Sequence, residues 1–175
     1  MGPAQILRYI GHISILLFLQ LFLFRDTALL GFAYLFVHIG IILLIPNEID
    51  LIWSMIIAFC IGFLVDMFYD TIGVHAAACV LIAFFRPRIV GIFSVQGELN
   101  SMSEYNVESG GVLWFFQFAL ISSFLFCSLL FILESTSLMI FFYALLKIIA
   151  SSLFTALFLT MYSYLWASRS KTKRR

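Results

Sequence analysis

Two charged residues lie inside strongly apolar stretches of this chain, and they are its first candidates for chemistry. Asp66 stands near the end of the apolar run 51–67, and Lys147 stands inside the run 138–167. A charged side chain at membrane depth costs about 3 kcal/mol or more unless it pairs or reaches water, so such residues are functional candidates by default. At about 1.5 Å per residue, the two depths agree within the reach of a lysine side chain. An Asp66–Lys147 ion pair is therefore one hypothesis.

Each residue also has a simpler interpretation. The aspartate would be hydrated near the outer interface or would cap the start of the next helix, and the lysine would extend to the interface without a partner. An ion pair predicts that the effects of Asp66→Ala and Lys147→Ala are strongly non-additive. Lys147 also shares one helical stripe with Ser151 and Thr155, which gives the last apolar run a polar seam.

No motif for nucleophilic, metal or phosphate chemistry accompanies these charges. The three histidines are spread over separate stretches, and the three cysteines lie in apolar runs without CxxC spacing. The chain has no GxSxG, HExxH, Walker or GxGxxG pattern. We predict no catalytic residues, no metal site and no cofactor, and a protein that is not an enzyme.

The composition places the chain in a membrane. It is 63% hydrophobic and 11% charged, whereas a soluble domain carries about 25% charged residues. The long apolar runs are typical of helices, since the strands of a membrane barrel would alternate polar and apolar residues. The predicted fold class is an all-α, polytopic helical bundle of one domain. The first run lacks a signal-peptide cleavage pattern and is expected to be retained.

Six apolar runs are candidates to cross a bilayer, which takes about 20 apolar residues. The predicted spans are 6–24, 28–45, 51–67, 72–85, 112–133 and 138–167. The fourth is short and is expected to gain length from Arg86-Pro87-Arg88. A loop over 88–111 follows it, and its acidic part, 94–111, is either a solvated linker or functional. Residues 168–175 form a basic tail.

The basic residues orient the bundle. If both termini are cytoplasmic, only Arg25 is left on the outside, and this asymmetry is the one that inner-membrane proteins show. The basic tail then marks the cytoplasmic end of the last span, and no nucleic-acid partner is expected. The cytoplasmic cations are Arg8, Arg86, Arg88, Arg169, Lys171, Lys173, Arg174 and Arg175.

Small residues form stripes on the third and fourth predicted spans. On the third span the stripe leads at intervals of four to Asp66, and the fourth span presents a matching small face. Such stripes let two membrane helices pack closely and place a polar group between them. The small residues are Ala58, Gly62, Ala76, Cys79 and Ala83.

The stretch 46–88 resembles the MreD family of small bacterial rod-shape-determining membrane proteins. The pattern that carries the resemblance is Pro46, then Gly62-Phe63-Leu64-Val65-Asp66, then Ile72-Gly73-Val74-His75-Ala76, and finally Arg86-Pro87. Chain length and the expected number of spans also agree. The matching site positions are Gly62, Asp66, Gly73, Arg86 and Pro87.

The resemblance implies a non-enzymatic role in the bacterial inner membrane. The expected partners are an MreC-like single-span protein, the RodA glycosyltransferase with its class B penicillin-binding protein, and, indirectly, MreB filaments. It also implies a six-helix bundle like the substrate-binding subunits of energy-coupling-factor vitamin transporters. The alternative is a small-solute-binding transporter subunit that uses the region of Asp66 and Lys147 as a buried polar site.

Overall fold

The structure, a computed structural model, describes residues 3–25, 28–29, 31–71, 73–93, 105–134 and 138–172. Among these residues, five helices are long and apolar enough to cross a membrane. The chain is therefore a mainly α-helical, multi-pass membrane protein. The candidate spans are Gln5–Leu23, Leu51–Tyr69, Val74–Phe93, Val112–Phe131 and Phe142–Ala167.

The elements follow one another with short connections. Helix α1 continues through a turn of π-helix, and a short β-hairpin separates it from a short helix, α2. The ranges are α1 Pro3–Phe18, its π-helical extension Leu19–Leu23, β1 Ala28–Leu29, β2 Ala33–Tyr34, α2 Ile39–Leu43, α3 Leu51–Tyr69, α4 Val74–Phe93, α5 Val107–Gly110, α6 Val112–Glu134 and α7 Leu138–Thr172.

The stretch 28–45, predicted as the second membrane helix, does not form one. Its first part is the β1–β2 hairpin, in which Ala28 pairs with Tyr34 and Leu29 with Ala33. Only Ile39–Leu43 is helical. The expectation of six spanning helices thus becomes five in the described part of the chain. The run is apolar on every side, and periodicity alone does not separate such a buried segment from a helix.

Residues 35–45, which we term the crossing segment, instead run inside the bundle alongside α1. At one end Gln20 Nε2 donates to the Leu35 carbonyl (3.2 Å), and at the other the Tyr9 hydroxyl donates to the Ile41 carbonyl (3.2 Å). Tyr9 in α1 and Gln20 in its π-helical extension are about 16 Å apart along the helix axis. Every residue of the crossing segment is buried. The chain therefore returns along α1 inside the protein, without a sixth long helix.

The return brings the two ends of the chain together. His12 Nδ1 in α1 lies 2.8 Å from the Tyr162 hydroxyl near the end of α7, and the His12 ring lies 4.4 Å from Trp166. The amide of Val107, just before α6, donates to Ser163 Oγ at 3.2 Å. The first turns of α1, the segment before α6 and the last turns of α7 consequently lie at one end of the bundle.

Helix α4 is longer than the predicted span 72–85. It passes through Arg86, Pro87 and Arg88 without ending and reaches Phe93. The loop predicted over 88–111 is thus helical up to residue 93, and 94–104 lie outside the described residues. At its far end, Asn106 and Ser109 form a capping box at the start of α5, with side-chain contacts to the reciprocal amides at 3.0 and 3.1 Å. Part of the predicted tail 168–175 is also helical, because α7 continues to Thr172.

The apolar core surrounds the crossing segment. Ile39, Ile41 and Ile42 are fully buried, as are Phe118 and Phe126 of α6. Helix α3 is peripheral by comparison: Ile52, Trp53 and Met67 are 71%, 61% and 68% exposed. The outer face of α3 therefore points away from the bundle.

Candidate functional site

Asp66 joins the end of α3 to the start of α4. Its Oδ1 accepts hydrogen bonds from the His75 amide (3.0 Å) and the Thr71 hydroxyl (2.5 Å), and its Oδ2 accepts one from the Ala76 amide (2.9 Å). The first amides of a helix have no partner within the helix and carry partial positive charge, so a carboxylate there satisfies both needs. Asp66 is only 3% exposed. Its carboxylate is fully engaged as a cap of the neighbouring helix.

The glycines of the MreD-like pattern shape the same turn. A Cβ atom on Gly62 would lie 2.5 Å from the Ala76 Cα and 2.7 Å from the His75 carbonyl oxygen, so only glycine lets α3 pack against this turn of α4. Gly73 has φ +75° and Asp70 has φ 54°, both in the left-handed region that favours glycine. The four remaining small residues that were predicted to pack closely are buried: Ala58, Ala76, Cys79 and Ala83.

Further polar side chains lie between Asp66 and the interior of the bundle, joined partly by hydrogen bonds and partly by ring contacts. His75 Nδ1 lies 3.0 Å from Asp66 Oδ1, and the His75 ring lies 5.9 Å from the ring of His38. His38 Nδ1 lies 3.1 Å from Gln20 Oε1, and Gln20 Nε2 donates to the Tyr69 hydroxyl at 2.6 Å. This polar cluster ties together α1, the crossing segment, α3 and α4.

The polar seam of α7 holds the extended backbone at the start of the crossing segment. The Tyr34 amide donates to Ser151 Oγ (2.9 Å), and the Phe36 amide donates to Thr155 Oγ1 (3.2 Å). Four residues of helix rise about 6 Å and two residues of strand about 6.6 Å, so the two spacings match. Because no water reaches such amides in a bilayer, irregular backbone survives there only with protein partners.

Lys147, the third residue of that seam, lies among aromatic rings. Its Nζ is 5.0 Å from the ring centroid of Tyr143 and 5.6 Å from those of Tyr34 and Phe131. These are cation–π distances. Within the described ranges no ion pair joins Lys147 to Asp66, whose oxygens are bound by Thr71, His75 and Ala76. The structure thus does not bring the two predicted partners together.

Arg86 lies within α4, well beyond the first turn that Asp66 caps, and is 6% exposed. One of its guanidinium nitrogens donates to the Ile45 carbonyl and, at 3.0 Å, to Asn47 Oδ1. Its Cζ also lies 4.9 Å from the centroid of the Tyr105 ring. A cation at the carbonyl end of the crossing segment complements the dipole of α2. Arg86 therefore fixes the exit of that segment.

The larger cavities found among the described residues open on the outside of the bundle. One of about 650 Å³ runs between α3 and α4, and one of about 310 Å³ lies along α3. A third, between α1 and α7, holds only about 20 Å³ and is the one with charged residues in its lining. In the same part of the chain no group of three or more His, Cys, Asp or Glu side chains could hold a metal ion.

Sequence reasoning did not assign four residues of the polar cluster to a site: Gln20, His38, Tyr69 and His75. Gln20 is the one amide side chain in the first apolar run, and His38 interrupts the second. A buried polar residue in a span is a usable signal of an interhelical contact, but it does not identify the partner residue.

Comparisons with family models, with curated proteins and with solved structures found no match for this chain.

Proposed function

We propose that this chain is a non-enzymatic scaffold subunit of the bacterial inner membrane that acts in cell elongation. In this role it binds an MreC-like single-span protein and helps to couple MreB filaments to RodA and its class B penicillin-binding protein. The observation that supports the proposal is that the polar groups inside the bundle form hydrogen bonds with the bundle itself. Asp66, Gln20 and the α7 seam bond to other parts of the bundle, so its outer surfaces are the parts left to bind partners.

The MreD-like pattern supports this proposal through what its residues do. Gly62 and Gly73 permit a tight α3–α4 hairpin, and Asp66 caps the second helix of that hairpin. A motif that builds a rigid hairpin suits a protein whose shape is recognised by others. It does not resemble a reaction centre, which would combine a nucleophile, an acid or a base at an open site.

The proposed orientation places both termini in the cytoplasm. The contact between His12 and Tyr162 sets the start of α1 beside the end of α7, as an even number of membrane crossings requires. The crossing segment supplies the additional passage. Most lysines and arginines then lie on the cytoplasmic side.

A small-solute-binding transporter subunit is the second candidate, and one observation favours it. The crossing segment is broken backbone at membrane depth, a feature that marks binding sites in many transporters. His38 in this segment is fully buried, and its Nε2 has no hydrogen-bond partner among the described residues. The proposed likeness to energy-coupling-factor substrate-binding subunits belongs to this hypothesis as well.

Depletion in the native rod-shaped host tests the first candidate. We expect the cells to become round, and we expect the tagged protein to co-purify with an MreC-like protein in detergent. Cells that keep their rod shape on depletion would refute the scaffold role.

For the second candidate, a panel of water-soluble vitamins is added to the purified protein while its thermal unfolding is followed. A vitamin that stabilises the wild type but not His38→Phe would favour solute binding.

A further inference from the structure

The side-chain amide of Gln20 determines which nitrogen of the His38 ring carries the proton. Gln20 Nε2 donates to the Leu35 carbonyl at 3.2 Å, so the oxygen of this amide, Oε1, is the atom that faces His38. The backbone amide of His38 donates to the same oxygen at 3.4 Å. Because Oε1 only accepts, His38 Nδ1, at 3.1 Å, must carry the hydrogen. In the neutral ring, Nε2 then has a lone pair and acts as an acceptor.

This lone pair has no donor in the part of the protein that the structure describes. His38 is fully buried, and its Nε2 makes no hydrogen bond to a described residue. A buried acceptor without a donor costs free energy, and such atoms in native proteins are nearly always bonded to protein or to ordered water. Bulk water does not reach the hydrocarbon depth of a bilayer. A donor for His38 is therefore expected inside the bundle.

Ser123 of α6 supplies a second buried polar atom of this kind. It is fully buried, and its Oγ has no hydrogen-bond partner within the described ranges. Two other serines of the same helix, Ser122 and Ser128, donate to the carbonyl four residues earlier at 2.8 and 2.7 Å. This bond is the usual one for a serine in a membrane helix. Ser123 does not make it, so its hydroxyl can bond to another group.

His38 and Ser123 belong to the same region of the core. Ser123 precedes Phe126 by one turn of α6, which is about 4.5 Å along the helix axis. The Phe126 ring lies 5.2 Å from the ring of His38 and 6.1 Å from that of His75. One water molecule joins polar atoms up to about 5.6 Å apart, since each of its hydrogen bonds is about 2.8 Å long. Water is thus a donor small enough to lie between these side chains.

We propose that the bundle holds one buried water molecule that donates to His38 Nε2 and accepts from Ser123 Oγ. Donors and acceptors balance in this arrangement, because His38 offers a lone pair and the serine hydroxyl offers a hydrogen. Two protein partners are enough to hold a buried water. The inference does not depend on the scaffold role. If the chain is instead a transporter subunit, this water is what an N–H or O–H group of the solute would displace.

Solid-state NMR of the whole chain in lipid bilayers, with histidine labelled in ¹³C and ¹⁵N, tests the proposal. The chain has three histidines, so the variants His12→Gln and His38→Asn assign the signals. We expect the proton of His38 on Nδ1 and magnetisation transfer from water to its ring. Ser123→Ala should remove most of this transfer. Ser122→Ala is the matched control and should keep it, because the Ser122 hydroxyl bonds within its own helix.

Thermal unfolding of the same variants gives an independent sign. Ser123→Ala should lower the unfolding temperature if its hydroxyl binds water, whereas loss of a buried hydroxyl without a partner would raise it. A higher unfolding temperature, a His38 proton on Nε2, or water transfer that Ser123→Ala leaves unchanged would each overturn the proposal. A hydrogen-bonded Nε2 that receives nothing from water would do so too, because it would indicate a bound solute in place of water.

Discussion

The α3–α4 hairpin and the crossing segment both place polar groups inside the bundle, but they obtain their hydrogen-bond partners from very different distances along the chain. In the hairpin, Asp66 bonds to Thr71, His75 and Ala76, five to ten residues away. In and just before the crossing segment, the backbone of Leu35, Tyr34 and Phe36 bonds to side chains 15, 117 and 119 residues away. The hydrogen bonds of the Asp66 cap therefore come from within the hairpin, whereas those of the crossing segment come from α7 and from the π-helical extension of α1.

This difference predicts two kinds of mutational effect. Substitutions in the hairpin should destabilise the turn between α3 and α4 directly, without involving the other helices. Changes in the α7 seam should act at a distance, on a backbone that belongs to another part of the chain. Four substitutions test the contrast, beginning with the one for which we expect the largest effect.

Gly62→Ala should lower the free energy of unfolding by about 3 kcal/mol, at the upper end of the usual cost of overpacking. The new methyl group would meet the backbone of His75 and Ala76, which cannot rotate away as a side chain can. The thermal midpoint of the purified protein in detergent measures the effect. Gly91→Ala is the control, because a Cβ there meets nothing within 4 Å. A Gly62→Ala protein as stable as the control would show that the hairpin is not closely packed.

Asp66→Ala should cost about 2 kcal/mol, because it leaves the buried amides of His75 and Ala76 without acceptors. Asp66→Asn should cost less, since its amide oxygen can still accept one of these bonds. The same unfolding measurement applies to both.

Combining Asp66→Ala with Lys147→Ala in one double variant tests whether the two side chains interact. Because Lys147 lies on aromatic rings and Asp66 caps α4, the two effects should add within about 0.5 kcal/mol. A coupling energy well above that would favour the ion pair that the sequence suggests.

Thr155→Val should cost about 1–2 kcal/mol and should expose the Phe36 amide to faster hydrogen exchange. The substitution preserves shape but removes the hydroxyl that accepts from this amide. Thr160→Val is a matched control on the same helix, since the Thr160 hydroxyl donates to Ala156 within α7 itself. If both variants lose stability equally and exchange at Phe36 stays slow, the seam does not hold the crossing segment.

Asp70→Gly should have the smallest effect, from no change to a gain of about 1 kcal/mol. Glycine adopts the left-handed conformation of this position without strain, which offsets its greater freedom in the unfolded chain. The lost contact with Arg25 is 3.9 Å long, and the Asp70 side chain is 90% exposed, so it contributes little. A clear loss of stability would mean that the turn depends on the Asp70 side chain.

The sequence predicted the membrane class and most of the long helices because these depend on local composition. Runs such as 51–67 and 112–133 contain enough apolar residues to cross a bilayer, and helices cover them. The small-residue stripe that leads to Asp66 is equally local, since it follows from a spacing of four. The end of α4 was harder to predict, because Arg86 and Pro87 usually signal the end of a span and here lie within the helix.

By itself, the sequence determined a membrane-embedded helical protein in which the stretches 51–67 and 72–85 pack closely as a hairpin. Only the tertiary structure decided that 28–45 is a β-hairpin followed by a buried crossing segment, that Lys147 lies on aromatic rings, and that Gln20 meets His38. The physical reason is the range of the interactions. Apolar length and helical spacing can be counted within one stretch, but an extended backbone at membrane depth is stable only when distant residues supply its hydrogen bonds.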